Sequence, residues 1–251
     1  MPFLFNKTSQ ASFGLLTLAF SVALTACGGS ASGSASLPQE DTVVSPPSTI
    51  VDDRPQLTSG WLPQYSEFVE DTVTTKYREL LDLAASRMTK VCPSWASLSG
   101  AERETFWSSL LWSIAGPESS RNRLAIYRET SLPVDQVTGV QIRSEGLLQL
   151  SYSDVPAYSY EGGDISWVAD KAMALADYAK VAKLGNPART ILNAYANLNL
   201  GLWIMHRLIA IYPTQSLDAA FGHYWATMRS SGSTFAVVVK NLKNSIPVCF
   251  Q

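Results

Sequence analysis

Histidine and cysteine are scarce: His206 and His223 are the only histidines among 251 residues, and there are three cysteines. No HExxH and no pair of CxxC motifs occurs, so a zinc centre lacks its usual ligands, and both histidines are expected to be packing or rim residues. No Walker-type glycine loop and no GxSxG occurs either, which removes the starting residues for nucleotide binding and for serine hydrolysis. No cofactor or metal is expected. Charge is sparse and nearly balanced, 19 Lys and Arg against 21 Asp and Glu for a net of -2, with no basic patch. Nucleic acid is therefore not an expected partner. Long apolar runs are missing too. The run from Phe13 to Leu24 is shorter than the roughly 20 residues a spanning helix needs.

What is present at the start has the layout of a secretory signal: Lys7, that short apolar run, then Leu24-Thr25-Ala26-Cys27. These last four residues resemble the lipobox of bacterial lipoproteins. The resemblance implies a signal peptide over residues 1–26, cleavage before Cys27 and lipid on its sulfur, so that the lipid bilayer becomes a partner. The alternative is an ordinary signal followed by a chance cysteine. Gly28 stands where an Asp would signal retention, which implies periplasmic export and sorting to the outer membrane. Setting Cys27 aside leaves Cys92 and Cys249, either a disulfide formed in an oxidising compartment or two free buried thiols. A bridge closing so long a loop is worth roughly 5 kcal/mol in the loop-entropy model.

From Gly28 to Gly60, 15 of 33 residues are Gly, Ser or Pro. Residues 27–60 therefore read as a flexible tether, roughly 30 Å across on average. Residues 61–251 have the size and apolar content of one folded body. Its periodicity is helical. A stripe at spacings of three and four runs from Tyr65 to Val91. A second helix opens at Ser99, with Glu102 completing a capping box, and passes through Trp107 to Ile114. A third covers Ser166 to Lys183. The fourth, Ile191 to Tyr212, is apolar on most sides and is expected to be central and buried. Shorter helices are expected at Ser216–Arg229 and Ser233–Lys243, and residues 131–163 are expected to hold a small hairpin or only loops. The fold class is mainly α.

The second helix finishes on Gly116-Pro117-Glu118-Ser119-Ser120. At 100° per residue Glu118 returns to within roughly 20° of the direction of Trp107, and so points toward the buried side. Pro117 disfavours helical geometry at Gly116, so a kink or end is expected there, presenting the acid at a cleft edge. Poor solvation raises a carboxyl pKa and leaves a group able to protonate a leaving sugar oxygen. The alternative is a helix-end ion pair with Arg121 or Arg123.

Three segments then carry a resemblance. Glu118-Ser119, Gly146-Leu147-Leu148-Gln149 and Asn197-Leu198-Asn199-Leu200-Gly201 resemble, in order, the E-S, G-L-M-Q and N-I-x-L-G signatures of soluble lytic transglycosylases and goose-type-like lysozymes. The stretch SEGLLQLSYSD, with Tyr224-Trp225, is similar to a lipoprotein branch of that superfamily. Coverage runs from Phe106 to Arg229. The resemblance implies a lysozyme-like helical domain that cuts the β-1,4 bond between N-acetylmuramic acid and N-acetylglucosamine in peptidoglycan glycan strands. Glu118 is then the catalytic acid and Ser119 the hydroxyl beside it. Gln149 is a substrate-side group, Gly146 lets backbone approach the glycan closely, and Asn197 with Gly201 belongs to the helix behind the site, where the glycine allows tight packing. The family's A-Y-N-A-G segment is absent. Tyr152, Tyr158 and Tyr224 are the candidates for its tyrosine, Tyr152 first because it follows Gln149 closely. Glu145 and Asp154 are the candidates for a second carboxylate, on which hydrolysis by two acids, as opposed to ring closure with one, would turn.

Between Asp135 and Asp170 six acids face one base, Arg143. Either these are solvated loops, or they make a groove favouring glycan with free amines. The aromatics Trp167, Tyr152, Tyr158, Tyr160, Tyr224 and Trp225 are candidate sugar-stacking groups, whereas Trp107, Trp112 and Trp203 read as core. Besides a wall-cleaving enzyme, the residues allow a non-catalytic lipoprotein that binds peptidoglycan, or a structural outer-membrane partner protein.

Overall fold

The computed structural model describes residues 56–251. The expected signal peptide, Cys27 and the tether as far as residue 55 lie outside them. Helix α1 (Pro63–Lys76) begins with Pro at its first position, where no N–H is missed, and buries Tyr65, Val69 and Val73. It is shorter than its stripe suggested. After Lys76 the chain continues in 3-10 turns, and Leu80, Met88 and Val91 are buried from those turns. Burial was legible there and helix length was not.

Helix α2 (Gly100–Ser119) starts at the expected capping box: Ser99 Oγ accepts from Glu102 N–H, and Glu102 accepts from Ser99 N–H at 2.7 Å. Its end corrects the expectation of a break at Gly116. The helix passes through Pro117 to Ser119 and stops at Ser120 and Arg121, both with positive φ, as Arg121 N–H donates back to Ala115 C=O at 3.0 Å. Pro117 lies inside the helix, which continues past it although the rung from this position to Ser113 C=O is missing.

A two-stranded antiparallel hairpin follows, β1 (Ile126–Arg128) with β2 (Arg143–Glu145), pairing Ile126 with Glu145 and Arg128 with Arg143. It begins before the segment in which a hairpin was expected. Then come the single-turn helix α3 (Asp154–Ala157) and α4 (Trp167–Ala179), capped by Ser166. Helix α5 (Ala194–Ile211) is capped by Asn193 and buried over most of its surface, as its all-round apolar sequence requires. The segment expected as one helix at Ser216–Arg229 is two pieces, α6 (Leu217–Phe221) and a 3-10 turn at Ala226–Met228; α7 is Ser233–Ser245.

Helix α1 packs against α2 and α5, and α2 packs against α7. One continuous apolar core runs from Tyr65 to Cys249, with Trp95, Trp107 and Trp225 fully buried. Cys92 and Cys249 form the disulfide, 157 residues apart in sequence. Residues 56–60, expected in the tether, are docked on the body. Leu57 N–H donates to Tyr65 Oη at 3.0 Å, Arg123 Nε donates to Leu57 C=O at 3.1 Å, and Gly60 N–H donates to Arg121 C=O at 2.9 Å. Among the described residues no helix is long and apolar enough to cross a membrane.

Candidate active site

The loop from Glu145 to Leu150 is the structural centre of the site. Glu145 and Leu150 exchange both backbone hydrogen bonds, at 2.8 and 2.9 Å, so the four residues between them form a tight excursion. Gly146 has φ +79° and Gln149 φ +55°. Helix α5 grips this loop through Asn197, which is wholly buried. Its Oδ1 accepts from Leu148 N–H at 2.9 Å, and its Nδ2 donates to the carbonyls of Glu145 and Ile191 at 3.1 Å each.

Both motif glycines are explained by this grip, and one expectation is corrected. A Cβ on Gly146 would lie 2.3 Å from Asn197 Nδ2, so Gly146 gives way to a side chain of its own protein and not to glycan. A Cβ on Gly201 would lie 2.2 Å from Leu148 Cδ1. Close packing was expected at Gly201, and its partner is the loop's leucine.

Helix α2 meets the loop from the other side. Ser119 is buried, and its hydroxyl donates to Leu147 C=O at 2.8 Å and to Ala115 C=O at 3.1 Å. Ser119 is thus a brace between helix and loop, which corrects its expected place in the substrate-binding set. Trp225 Nε1 donates to Leu148 C=O at 3.0 Å, fixing the loop from a third direction.

Glu118, one residue earlier on α2, is half-buried at the helix tip, and Thr227 Oγ1 donates to its Oε1 at 2.7 Å. The two arginines that might have claimed it bond elsewhere. Arg121 lies 3.9 Å over the Trp112 ring, and Arg123 donates to the carbonyls of Leu57 and Leu192. Tyr224 is close enough to feel the charge of Glu118, and its hydroxyl donates to Asp154 Oδ2. Burial first, then Asp154 and Glu118, push the Tyr224 hydroxyl well above its usual pKa, so it stays a hydrogen-bond donor. Asp154 also accepts from Ser151 N–H at 2.6 Å. The tyrosine beside the acid is therefore Tyr224, not Tyr152, and of the two further carboxylates Asp154 belongs to this group.

Gln149 supplies an acceptor. Its Nε2 donates to Gly146 C=O at 2.8 Å, while its Oε1 is buried and lacks a hydrogen-bond partner among the described residues. A buried amide oxygen without a donor is costly to leave unsatisfied.

Glu145, the other candidate second carboxylate, and Tyr152, the tyrosine ranked first, belong instead to a different, interior cluster. Fully buried Arg189 donates to Glu145 Oε2, to Tyr152 and Tyr178 hydroxyls at 3.2 Å each, and to Asp177 at 3.1 Å. Tyr178 donates to Glu145 Oε1, and Tyr152 donates to Asp170 at 2.7 Å. Burial pushes the Glu145 carboxyl up while Arg189 pulls it back. Such a buried cluster, bonded through every polar group but Arg189 Nε, fixes register and is expensive to break singly. It ties β2 to α4 and to the chain entering α5.

The acidic stretch is accounted for in the same way. Asp135 caps its own turn through Val137 N–H, Asp164 accepts from Tyr160 and Asn199, and Asp170 accepts from Thr190; Glu161 alone of the six is plainly exposed. Five of the six acids are thus held by hydrogen bonds or ion pairs within the fold. Of the candidate stacking aromatics, Trp225, Tyr152, Tyr160 and Tyr224 are buried, leaving Tyr158 and Trp167 half-buried. His206 pairs with Glu79 and His223 stacks on Tyr212, and among the described residues no cluster could hold a metal ion. Thr227 had no signal in the sequence.

Comparison with solved structures bears on the fold. The chain matches three structures of a protein named DslA, the wild type and two variants in which one glutamate is replaced by glutamine. TM-scores are 0.54, identity is 20–21%, and the match covers 74% of this chain and 91% of the other. The fold is lysozyme-like. No family model and no curated protein matches.

Proposed function

We infer that this protein cleaves peptidoglycan glycan strands at the β-1,4 bond between N-acetylmuramic acid and N-acetylglucosamine, with Glu118 as the general acid. The observation that carries the reading is the placement of Glu118. A carboxyl held by Thr227 at a helix tip shares a loop, through Ser119 and Leu147, with the unsatisfied acceptor of Gln149. An acid so placed protonates the bridging oxygen as the bond to the anomeric carbon breaks, and Gln149 orients the sugar by accepting one of its N–H or O–H groups. Tyr224 and Asp154 complete the polar lining beside the acid. The lysozyme-like fold and the neighbour's glutamate-to-glutamine variants support a carboxylate-dependent reaction. The same proposal has the body anchored in a bilayer through lipidated Cys27, probing the wall on residues 28–55.

The test is clearing of purified sacculi by wild type and by Glu118→Gln. The glutamine can still accept the Thr227 hydrogen bond, so the fold should survive while turnover falls by roughly 10²–10⁴. Equal clearing by both proteins would remove Glu118 as the acid. No clearing by wild type on acetylated or deacetylated wall would favour a non-catalytic glycan-binding protein. The mass of the released fragments decides between hydrolysis and ring closure, since a ring-closed product is lighter by one water.

A further inference from the structure

On the outer side of the hairpin lies a second cleft of about 310 Å³, lined by Tyr127, Arg128, Arg143, Tyr178, Val181 and Lys183 among others. It contains no part of the acid site. Its charge is one-signed, and the pairing makes this unusual. Arg128 and Arg143 are directly opposed across the β1–β2 ladder, a position in which like charges destabilise a sheet. Burial, then the charge of Arg128, lower the Arg143 guanidinium against the pull of Tyr178 and Glu145. Arg143 lies 4.8 Å over the Tyr178 ring and donates to Gln141 C=O at 2.8 Å. Arg128 and the Lys183 ammonium have no side-chain hydrogen bond or ion pair among the described residues.

The carboxylates of the neighbourhood are already engaged. Glu145 and Asp177 are bound to Arg189, and Glu129 accepts from Ser144 Oγ. Apolar surface rims the same cleft: Tyr127 is 54% and Val181 76% exposed. Val181 holds φ +50°, a conformation that a β-branched residue adopts only under strain. Arg128 and Lys183, with no hydrogen-bonded or ion-paired carboxylate among the described residues, lie with Arg143 beside exposed apolar side chains and fit a carboxylate-bearing ligand with small apolar groups.

We propose that this cleft binds the peptide stems of peptidoglycan through their free carboxylates, with Arg128, Arg143 and Lys183 pairing the charge and Tyr127 and Val181 covering the alanyl methyls. The choice of stem peptide over other acidic peptides rests on the glycan-cleaving reading; the acidic-peptide chemistry does not. The Tyr178 hydroxyl donates to Glu145, and Glu145 begins the loop that carries Gln149, so an occupied cleft and the acid site share one rigid support.

Calorimetric titration of the full chain with a synthetic stem tetrapeptide, with its fully amidated form and with inorganic phosphate tests the proposal. The free-acid peptide should bind, the amidated peptide at least ten-fold more weakly, and Arg128→Gln with Lys183→Gln should weaken free-acid binding at least ten-fold. Both residues are exposed, so the double variant should fold. Absence of binding, equal binding of the amidated peptide, equal binding by the double variant, or phosphate competing as strongly as peptide would each overturn it. Glu118→Gln should bind the peptide as wild type does. Loss of cleavage with binding intact, or the reverse, therefore shows which of the two readings has failed.

Discussion

Replacing Gly146 by Ala tests the claim that Asn197 holds the loop carrying Gln149. The cost has two parts. Gly146 sits at φ +79°, where an L-residue loses about 1–2 kcal/mol. The new methyl would also lie 2.3 Å from Asn197 Nδ2, so the amide must move, endangering three buried hydrogen bonds of about 1 kcal/mol net each. Together the expected loss is about 3–5 kcal/mol, a large share of the roughly 5–15 kcal/mol of a typical domain. The second part vanishes if the amide is already gone. In an Asn197→Ala background, Gly146→Ala should cost only the backbone term of about 1–2 kcal/mol, giving a coupling of about 2–3 kcal/mol between the two positions. Urea unfolding of the four proteins, disulfide intact and followed by tryptophan fluorescence, measures it. If Gly146→Ala costs the same in both backgrounds to within about 0.5 kcal/mol, the clash is not what makes glycine necessary and the account of the loop fails.

Tyr77 is buried, and burial, with Asp164 and Glu79, pushes its hydroxyl up to about 12. Its contribution is fully present below pH 10, where folded and unfolded forms are both neutral, and is lost as pH rises toward 12 because the unfolded chain ionises first. Tyr77→Phe should therefore flatten the decline of urea stability between pH 10 and 12, by up to about 3 kcal/mol in total; an unchanged slope would contradict the assignment. Converting Cys92 and Cys249 to Ser should cost roughly 5 kcal/mol, read as a lower urea midpoint, because the bridge spans 157 residues; a shift below about 1 kcal/mol would show that the loop-entropy reasoning fails here. Val181→Gly should raise stability by about 0.5–1 kcal/mol by relieving a left-handed valine just past α4, and a loss would mean that the valine side chain packs more favourably than its exposure indicates.

Local signals were readable where they depend on near neighbours in sequence. The Ser99–Glu102 capping box and the all-round burial of α5 follow from adjacent residues and appear as expected. The overlong first helix shows the limit: its stripe correctly marks Leu80, Met88 and Val91 as buried, yet 3-10 turns place them inside as well as a helix would. Pro117 misled because a proline inside a helix costs one rung and crowds the carbonyl four residues back without having to end the helix. Tyr152 was preferred to Tyr224 because it lies near Gln149 in sequence. Chain proximity was a poor guide, for Arg189 and Asp170 draw Tyr152 inward while Tyr224 comes to Glu118 from over a hundred residues away. Thr227 carries no signal of its own, and only the return of the chain after α6 makes it a partner of Glu118.

The motif residues divide by whether their polar atoms are satisfied within the protein. Ser119, Gly146, Asn197 and Gly201 spend every feature that distinguishes them on one another's elements: a hydroxyl on Leu147, an absent Cβ for Asn197, an amide on the loop backbone and another absent Cβ for Leu148. Gln149 differs, for its Oε1 is buried and unsatisfied at the end of the loop those residues build. Such an arrangement has a net cost unless something outside the chain repays it. A loop braced from α2, α5 and Trp225 fixes an acceptor that folding itself does not use. On the proposed function, the four braced residues are positioning groups whose loss should act through Gln149 and Glu118.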